Sequence, residues 1–534
     1  MTQTIKPRIR VTTQGHTRKI QTPKPPAQFR ASVYEAAGAG PRSSTWKQAG
    51  MIGPVSLLGK SLDTLRNRVR YQVRNDPIAS RVVDFLVGKV IGGGLRPMLR
   101  PGLEDPKFSK AMDAWMDQCD AEGTADLFGI QEVVFRDAVA GGDSLARFRP
   151  RDPDLDPDLV VPMQIQILPG EMMPSHDPTG ESLSGVIRNG IGRPEKYKIF
   201  NKHPGERLGG MVEMGHSYVH AKDCAHVFWK REPGQVRGEP WLTRGLITLS
   251  DLDAYQDAEL VRKKMAAMPV FFIQTPTDMS KPSAPVGVSD GTDGHEEGTP
   301  LNADGTAWTE EDPVEMMPEL APGAVVPVSP GYEVKPSLPA DVGPQYDAFV
   351  RRQLQRVCAA VNAPYELVTG DTPPGANERM MRIRLNDFYT LVKIWRRMMV
   401  RQFCQPAWRA AVMAAYDSGA WEPKEGTALE DYLTVDWVGD PIALVNPEQE
   451  TRADVLAVRA GFKTQAQVIR ERGGDPDTVM AARSEEIKKG DSLGLIFDTD
   501  PRHTSNNGVT QARQGEFVLP DDGGDGDPDE NIDL

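Results

Sequence analysis

The chain has 534 residues, of which 39% are hydrophobic and 26% charged, a globular composition in a length that predicts about two to four domains. The 50 glycines and 45 prolines indicate many turns and interrupted elements. A net charge of -13 argues against a protein that coats nucleic acid with its whole surface, because phosphate binding requires concentrated positive charge.

The cysteines give no sign of a secreted disulfide scaffold. They lie far apart without a CxxC pair, at Cys119, Cys224, Cys358 and Cys404, and no apolar leader opens the chain. The most apolar early stretch, residues 82–95, contains charges and glycines and is too short to cross a bilayer. We therefore expect a protein of a reducing compartment without a membrane span.

The two ends of the chain carry opposite charge. Residues 1–30 contain seven basic and no acidic side chains, whereas the last fifteen residues contain seven acidic and no basic ones. Such segments cannot bury a core, so residues 1–50 and 491–534 are predicted to be disordered tails.

In the first half of the chain, helical spacing gives way to β-prone runs. Apolar periodicity predicts helices over 61–88 with a break at Pro77, over 105–119 and over 128–140, and Ser61 is expected to cap the first of them. Between 145 and 229, short runs at 163–168, 196–200 and 226–229 alternate with Gly, Pro and Asp. This pattern predicts a β-rich domain, and the fold class is therefore α+β.

The second half predicts a helical hairpin and then a long basic helix. Helices over 246–268 and 347–361 flank an acidic, loop-dominated insertion at 275–344, which suggests a hairpin carrying a small tip domain. Residues 369–376 must form a loop because they contain two prolines and two glycines. A long helix from Asn377 to Tyr416, kinked at Pro406, and shorter helices at 447–460 and 464–472 follow.

Two motifs suggest chemistry but have better structural explanations. The glycines of Gly53 to Ser61 are separated by five residues, whereas a phosphate-binding P-loop has four, so helix capping is favoured over nucleotide binding. Four potential metal ligands lie within a stretch of eleven residues: His216, His220, Cys224 and His226. Because no second ligand pair accompanies them, a satisfied structural histidine is favoured over a zinc site. No nucleophile motif accompanies the other histidines.

The long basic helix is the strongest pointer to nucleic acid. It carries eight basic residues between Arg379 and Arg409, and spaced guanidinium groups match a phosphate track. The same arginines could instead pair with acidic surfaces of a neighbouring subunit. The residues alone leave these alternatives open.

Several motifs together resemble the lambda-type portal proteins of tailed bacteriophages. The most specific is Arg231-Glu-Pro-Gly-Gln-Val-Arg-Gly-Glu-Pro-Trp-Leu242, followed by Asp251-Leu-Asp-Ala-Tyr-Gln-Asp-Ala258 and Leu260-Val-Arg-Lys-Lys-Met-Ala266. Further matches are Arg74-Asn-Asp-Pro77 with Gly92-Gly-Gly-Leu95, Ala363-Pro-Tyr-Glu-Leu367 with Gly370-Asp371, Phe403-Cys-Gln-Pro406 and Gly461-Phe-Lys-Thr464. The resemblance spans most of residues 55–475.

The resemblance implies a portal fold and a domain order. In that family a β-rich wing, a helical stem, a clip, a tunnel loop with its long helix and a helical crown follow one another. The corresponding segments here are wing 51–245, stem helices 246–268 and 345–368, clip 269–344, tunnel loop 369–377, long tunnel helix and return to the wing 378–444, and crown 445–490.

The resemblance also implies a function without catalysis or cofactors. Such proteins form a ring, usually of twelve copies, at one capsid vertex of the virion, through which double-stranded DNA is packaged and ejected. The implied partners are DNA, the terminase large subunit, the major capsid and scaffold proteins, and head-completion or tail connector proteins, with procapsid assembly initiated in the host bacterial cytoplasm. A DNA-binding adaptor or a DNA-processing enzyme of the virion is the alternative.

Candidate site residues follow from that correspondence. The DNA-facing candidates of the tunnel loop are Thr372, Asn377, Arg379 and Arg382, provided that the Asp371 carboxylate is kept away from phosphate. The candidates for terminase docking in the clip are Glu310, Glu311, Asp312 and Glu315. Independently of the resemblance, Gly234 and Gly238 allow a tight turn and Gln235 and Arg237 supply forked donors, so these four residues are predicted to form a structural motif that locks wing to stem. The loop departs from the Asn-, Tyr- and Ser-rich pattern of the family, because residues 373–378 read Pro-Pro-Gly-Ala-Asn-Glu.

Overall fold

A computed structural model describes residues 52–495 except 101, 104, 178–179, 207–214, 267–270, 275–324, 329–345, 373–374, 376 and 442–446. The chain divides into two units, Met1–Gly53 and Pro54–Leu534, and the fold below is that of the second. Both predicted tails lie wholly or largely outside the described residues. Within the described ranges, no helix is long and apolar enough to span a membrane.

The first two helices, α1 at Pro54–Asn75 and α2 at Pro77–Val90, are separated at the predicted break. The Asp76 side chain caps α2 by accepting from the Ala79 N–H at 2.6 Å, and Pro77 fits the first helical turn, where its missing N–H is not needed. The predicted capping role of Ser61 is wrong, because α1 begins seven residues earlier, at Pro54, and Ser61 lies inside it.

Two capped helices lead into a three-stranded antiparallel sheet. Asp105 caps α3 (Pro106–Gln118) and Asp126 caps α4 (Leu127–Ala140). The sheet has the order β3-β2-β7, formed by β2 (Asp143–Pro150), β3 (Met163–Pro169) and β7 (Cys224–Phe228). The central strand β2 is buried along most of its length, because helices cover one face of the sheet and a second sheet covers part of the other.

The second sheet is smaller and completes a satellite core. Its strands, in the order β4-β5-β6, are β4 (Val186–Arg188), β5 (Pro194–Phe200) and β6 (His216–His220). Apolar side chains such as Tyr197 and Val219 pack there against Leu145 of β2. The α+β prediction is confirmed for the described residues, which mix helices with antiparallel sheets.

A helical hairpin leaves this body. It consists of α5 (Leu246–Ala266) and α6 (Tyr346–Ala360), close to the predicted ranges. The rings of Tyr255 and Tyr346 stack at 5.9 Å between centroids, and Gly245 at the start of α5 lies beside Ala360 at the end of α6, so the two helices are antiparallel. Beyond them, β8 (Phe271–Gln274) pairs in parallel with β9 (Val325–Val328).

The long basic helix is continuous but contains one π-helical turn. After α7 (Tyr365–Thr369), α8 (Glu378–Met399) passes through a π-helical turn, Val400–Cys404, into α9 (Gln405–Asp417). The predicted discontinuity near Pro406 is thus a π turn, which is one way a helix accommodates a proline that cannot donate to the preceding turn.

The remaining elements return to the body and continue past it. After α10 (Leu429–Tyr432), β10 (Asp436–Val438) pairs with β1 (Arg96–Met98). Helices α11 (Pro447–Arg459) and α12 (Gln465–Glu471) match the predicted ones, but α13 (Pro476–Leu493) was not predicted. The apolar periodicity of α13 is too weak to predict a helix. The sequence does contain a cap, Asp475 before Pro476, and a stop signal, Gly494 at the end of the helix.

The backbone at the start of β2 touches the loop that leads to α5. A Cβ atom built on Gly238 would overlap the carbonyl oxygen of Gly142, and one built on Gly142 would overlap the carbonyl oxygen of Gly238. Two backbones can approach this closely only when both residues lack side chains. The Gly234–Gly238 loop is therefore fixed by a glycine–glycine contact to the residue that precedes β2.

We expect Gly238→Ala to lower the free energy of unfolding by about 3 kcal/mol, because the methyl group must push two packed backbones apart. The measurement is a urea titration of the purified subunit. Gly190→Ala is the matched control, since nothing lies within 4 Å of its added Cβ. Equal stability of the two variants would contradict the close contact as a constraint.

Candidate functional site

The loop between α7 and α8 is held by a carboxylate at its base. Asp371 accepts a hydrogen bond from the Tyr365 hydroxyl at 2.6 Å. It also forms an ion pair with Arg351 of α6, whose Nε lies 2.9 Å away. The bonds from Tyr365 and from Arg351 lower the pKa of Asp371 below its ordinary value. The carboxylate is therefore ionised, and its charge is matched by the arginine.

Both partners of Asp371 belong to the same chain. The Arg351 guanidinium offsets the charge of the carboxylate, and the Tyr365 hydroxyl binds the same oxygen, Oδ2. That the carboxylate is kept away from phosphate stays a prediction. Gly370 closes α7 in the left-handed conformation with φ of 74°, a conformation that glycine adopts without strain. Chain direction at the start of the loop is thus fixed by Gly370 and Asp371 together.

The four DNA-facing candidates occupy different environments. Thr372 and Arg379 are exposed to solvent. Asn377 caps α8, since its side chain accepts from the Met380 N–H at 2.8 Å. Arg382 Nη2 lies 2.9 Å from a carboxylate oxygen of Glu378, one turn earlier. Thr372 and Arg379 are therefore the better placed pair for an external ligand, whereas Asn377 and Arg382 also serve the helix.

The basic residues of the long helix do not all lie on one face. Arg396 is turned inward and donates to the carbonyl oxygens of Val90 and Asp440, both at 2.8 Å. Arg384 forms an ion pair with the buried Glu366. The exposed basic side chains are Arg379, Arg384, Lys393, Arg397, Arg401 and Arg409, whereas Arg382 and Arg396 are partly buried. The exposed basic surface is therefore smaller than the sequence count suggests.

The motif Gly-Gln-Val-Arg-Gly forms a buried junction. The Gln235 amide accepts from the Arg231 N–H at 2.8 Å and donates to the Arg237 carbonyl oxygen at 2.8 Å, which closes the loop on itself. Gly234 has φ of 83°, as the turn requires. The loop then presents the Arg237 guanidinium to the interior, where 1% of the side chain is exposed.

Arg237 holds three separate segments of chain. It donates to Asp143 of β2, with Nε 2.5 Å from Oδ2, to the carbonyl oxygen of Gly170 at 2.6 Å, and to that of Ser184 at 2.9 Å. The motif therefore joins both sheets of the body to the segment that starts α5. The role of the motif as a lock between wing and stem stays a prediction.

Asp143 is the centre of the junction and was not identified from the sequence. Its second oxygen accepts from Arg66 Nη2 of α1 at 2.9 Å, and His226 Nε2 lies 3.2 Å from Oδ2. Burial alone would raise the pKa of Asp143, but Arg237, His226 and Arg66 hold it well below its ordinary range. Because an ionised carboxylate only accepts, Nε2 of His226 carries the proton.

A second layer of charges surrounds this centre. Arg70 of α1 binds Asp137 of α4 at 2.6 Å and Glu171 at 2.8 Å. Burial raises the pKa of Asp137 to about 7, although Arg70 opposes that rise. The sequence contains one signal that α1 supplies a charge to this buried cluster. Arg66 lies between the core residues Leu62 and Val69 on the apolar face of the helix, where a charged side chain needs a buried partner.

The other candidate residues are not assembled into a site. His226 is a buried structural histidine, while His216 and His220 lie on exposed positions of β6. Among the described residues, no group of three or more metal-ligating side chains is present. The clip candidates Glu310, Glu311, Asp312 and Glu315 lie outside the described residues.

We expect Asp143→Asn to destabilise the fold by about 3–5 kcal/mol, because the amide leaves Arg66 and Arg237 buried without a counter-charge. The measurement is a urea titration at pH 7 and at lower pH. A depressed pKa contributes stability above about pH 4 that is lost as the pH falls, so the difference from wild type should shrink in acid.

Asp84→Asn is the matched control for that variant. Asp84 also pairs with an arginine, Arg136, at 2.6 Å, but both side chains are more than 40% exposed, so the loss should stay below about 1 kcal/mol. A similar loss in both variants would contradict the central role of Asp143.

Comparison with known proteins identifies the family of the chain. Residues 39–396 match the model of the phage portal protein, lambda family. The probable portal protein of Halomonas phage phiHAP-1 is 21% identical over 493 residues, which cover 88% of this chain and 87% of that protein.

Solved structures of gene transfer agent (GTA) particles are also similar. A chain from the virion of the native particle is 14% identical, with a TM-score of 0.39 over 77% of this chain and 93% of that one. A chain from the neck of the native particle, computed with C12 symmetry, is 13% identical, with a TM-score of 0.39 over 79% and 100%. Because the family model spans more than half of its residues, the chain belongs to the lambda family of phage portal proteins.

Proposed function

We propose that the protein assembles into a closed ring of twelve copies at one capsid vertex of the virion and conducts double-stranded DNA during packaging and ejection. The observation that carries this proposal is the family match over residues 39–396, which includes the β-rich body, the helical hairpin and the loop before α8. These parts act as wing, stem and tunnel loop, residues 269–344 as the clip, and the last helices as the crown.

The charge arrangement supports a conduit. A wall that attracted phosphate along its whole length would hold DNA by many contacts, whereas a chain with net charge of -13 lets it slide. Local contacts come from the loop, where Arg351 matches the Asp371 charge and Thr372 and Arg379 remain exposed. DNA therefore meets a few polar groups rather than a continuous basic track.

The remaining roles are protein contacts. The acids Glu310, Glu311, Asp312 and Glu315 of the clip receive the terminase and later the head-completion proteins. The wing and crown face the capsid and scaffold proteins during assembly in the host cytoplasm. In this proposal the chain has no catalytic step of its own, and the energy for DNA movement comes from the terminase.

The ring is the first test. Light scattering of the purified protein should give a mass close to twelve subunits, and negative-stain images should show rings with a central hole. A stable monomer or dimer at high concentration would overturn the ring and favour a DNA-binding adaptor. DNA hydrolysis by the pure protein would favour the processing enzyme instead.

The loop is the second test. We expect Arg379→Ala to lower the amount of DNA packaged per particle by up to about fivefold, because an exposed arginine–phosphate contact is worth up to about 1 kcal/mol. Arg397→Ala is the control, since it is exposed on the same helix about 27 Å further along. Equal losses in both variants would assign DNA contact to the whole helix rather than to the loop.

A further inference from the structure

Strand β2 and the residue after it carry three arginines on one side, Arg147, Arg149 and Arg151, here called the arginine row. Side chains alternate along a strand, so the row shares the side of Leu145, which packs against the second sheet. The second sheet buries Leu145 but leaves each arginine of the row partly exposed. The row therefore lies at the edge of the satellite core, within reach of another molecule.

The arginine row has no ion pair among the described residues. The residues opposite Arg147 and Arg149 on β3 are neutral glutamines. Arg151 Nε donates to the amide oxygen of Gln164 at 2.8 Å, which brings no charge. Burial, and then the positive charges of Arg147 and Arg151, lower the pKa of Arg149. Three positive charges are thus held close together.

A cavity adjoins the arginine row where β7 ends. Strand β3 pairs with β2 as far as Pro150, whereas β7 pairs with it only as far as Arg147. The cavity measures about 450 Å³, and its lining includes the row, Val219 of β6 and Asp223 of the turn before β7. Within the described ranges, Asp223 forms no ion pair with the row. The cavity therefore suits a ligand with several negative charges.

The positive area continues beyond the row. A second cavity, of about 560 Å³, is lined by three exposed bases, Arg193, Lys196 and Lys222, and by one acid, Glu195. In the described part of the chain, none of the three bases forms an ion pair. Lys222 precedes Asp223 of the first cavity, so the two cavities adjoin and an amine lies close to the row.

One segment of the chain has the spacing of the arginine row with the opposite charge. Residues 525–529, outside the described residues, read Asp-Gly-Asp-Pro-Asp, so three carboxylates stand at every second position. In an extended chain such side chains lie on one side at intervals of about 6.6 Å, as the arginines do along β2. Pro528 favours an extended conformation at Asp527, the residue before it. The three carboxylates therefore match the three guanidinium groups in spacing.

The chain is long enough to bring this segment to the row. Asp525 stands 30 residues after Leu495, the last described residue. A stretch of that length reaches up to about 100 Å, whereas a compact body of about 440 residues is about 60 Å across. The last fifteen residues contain no base, so no cation within them competes for the carboxylates.

We propose that Asp525, Asp527 and Asp529 bind the arginine row of the same copy, with the segment extended along the cavity beside β2. Each carboxylate then faces one guanidinium in a charge-assisted pair. The bound segment occupies a positive surface to which DNA phosphate would otherwise bind. Because both partners belong to one chain, this contact does not depend on the ring proposed above.

Cross-linking of the full chain tests the contact. A carbodiimide joins a carboxylate to a nearby amine, and Lys222 supplies the amine beside the row. In the wild type, mass spectrometry of the single-subunit band from a denaturing gel should find Lys222 linked to acids of residues 521–533. Arg147→Gln with Arg149→Gln should lower that yield at least about fivefold, because two of the three ion pairs are lost.

Variants of the segment itself leave the folded body unchanged and keep the test decisive. Replacement of the three spaced acids, Asp525→Asn with Asp527→Asn and Asp529→Asn, should also lower the yield at least about fivefold. The matched control removes as many charges but keeps the spaced acids: Asp521→Asn with Asp522→Asn and Asp533→Asn. It should cross-link like the wild type. Equal yields from these two variants would overturn the match in spacing.

A second control removes two bases elsewhere. Lys393 and Arg397 are exposed on α8 and form no ion pair among the described residues. Lys393→Gln with Arg397→Gln should leave the yield unchanged, because the same loss of charge lies away from the row.

Three results would overturn the proposal. The first is a wild type without a Lys222 product, or a yield that the substitutions in the row leave unchanged. The second is a product found only in the two-subunit band, which would assign the segment to a neighbouring copy. The third is a row that binds phosphate instead, seen as lower affinity for a short DNA duplex in the Arg147 and Arg149 variant with unchanged cross-linking. Each of these results leaves the ring untouched.

Discussion

The fold depends on one buried carboxylate. Asp143 is fully buried and accepts from Arg66, Arg237, His226 and the Gly238 N–H, so both of its carboxylate oxygens have partners. Removing such charges from water costs several kcal/mol per ion, and the charge-assisted bonds to Asp143 offset that cost. Its contribution is therefore geometric specificity, since it fixes α1, the sheets and the start of α5 relative to one another.

An aromatic cluster connects the junction around Asp143 to the long helix. Trp241, four residues after Arg237, lies 5.0 Å from Trp395 of α8 and 5.6 Å from Phe135 of α4, measured between ring centroids. The hairpin and the long helix thus start from the same packed body. The loop before α8 is supported at its base by Arg351 of the hairpin, while this cluster holds α8 near its C-terminal end, at Trp395.

Local signals made much of this fold predictable, while the junction depends on contacts that no local pattern records. The break at Pro77, the caps at Asp105 and Asp126 and the hairpin follow from capping and periodicity. The Asp143–Arg66 contact joins residues 77 positions apart, and nothing near Asp143 distinguishes it from a surface aspartate. For the loop, the sequence identified the candidates but not the Arg351 and Tyr365 bonds that occupy Asp371.

The hairpin helix α6 supports the base of the loop. Arg351 of α6 lies with its Nε 2.9 Å from the Asp371 carboxylate. The orientation of α6 is set by its packing against α5, where Tyr346 and Phe349 contact Tyr255. A helix turns as a unit, because its backbone hydrogen bonds resist local twisting. A rotation of α6 that broke the aromatic contacts would therefore also displace Arg351 from Asp371. The charge at the base of the loop is matched only while the hairpin keeps this packing.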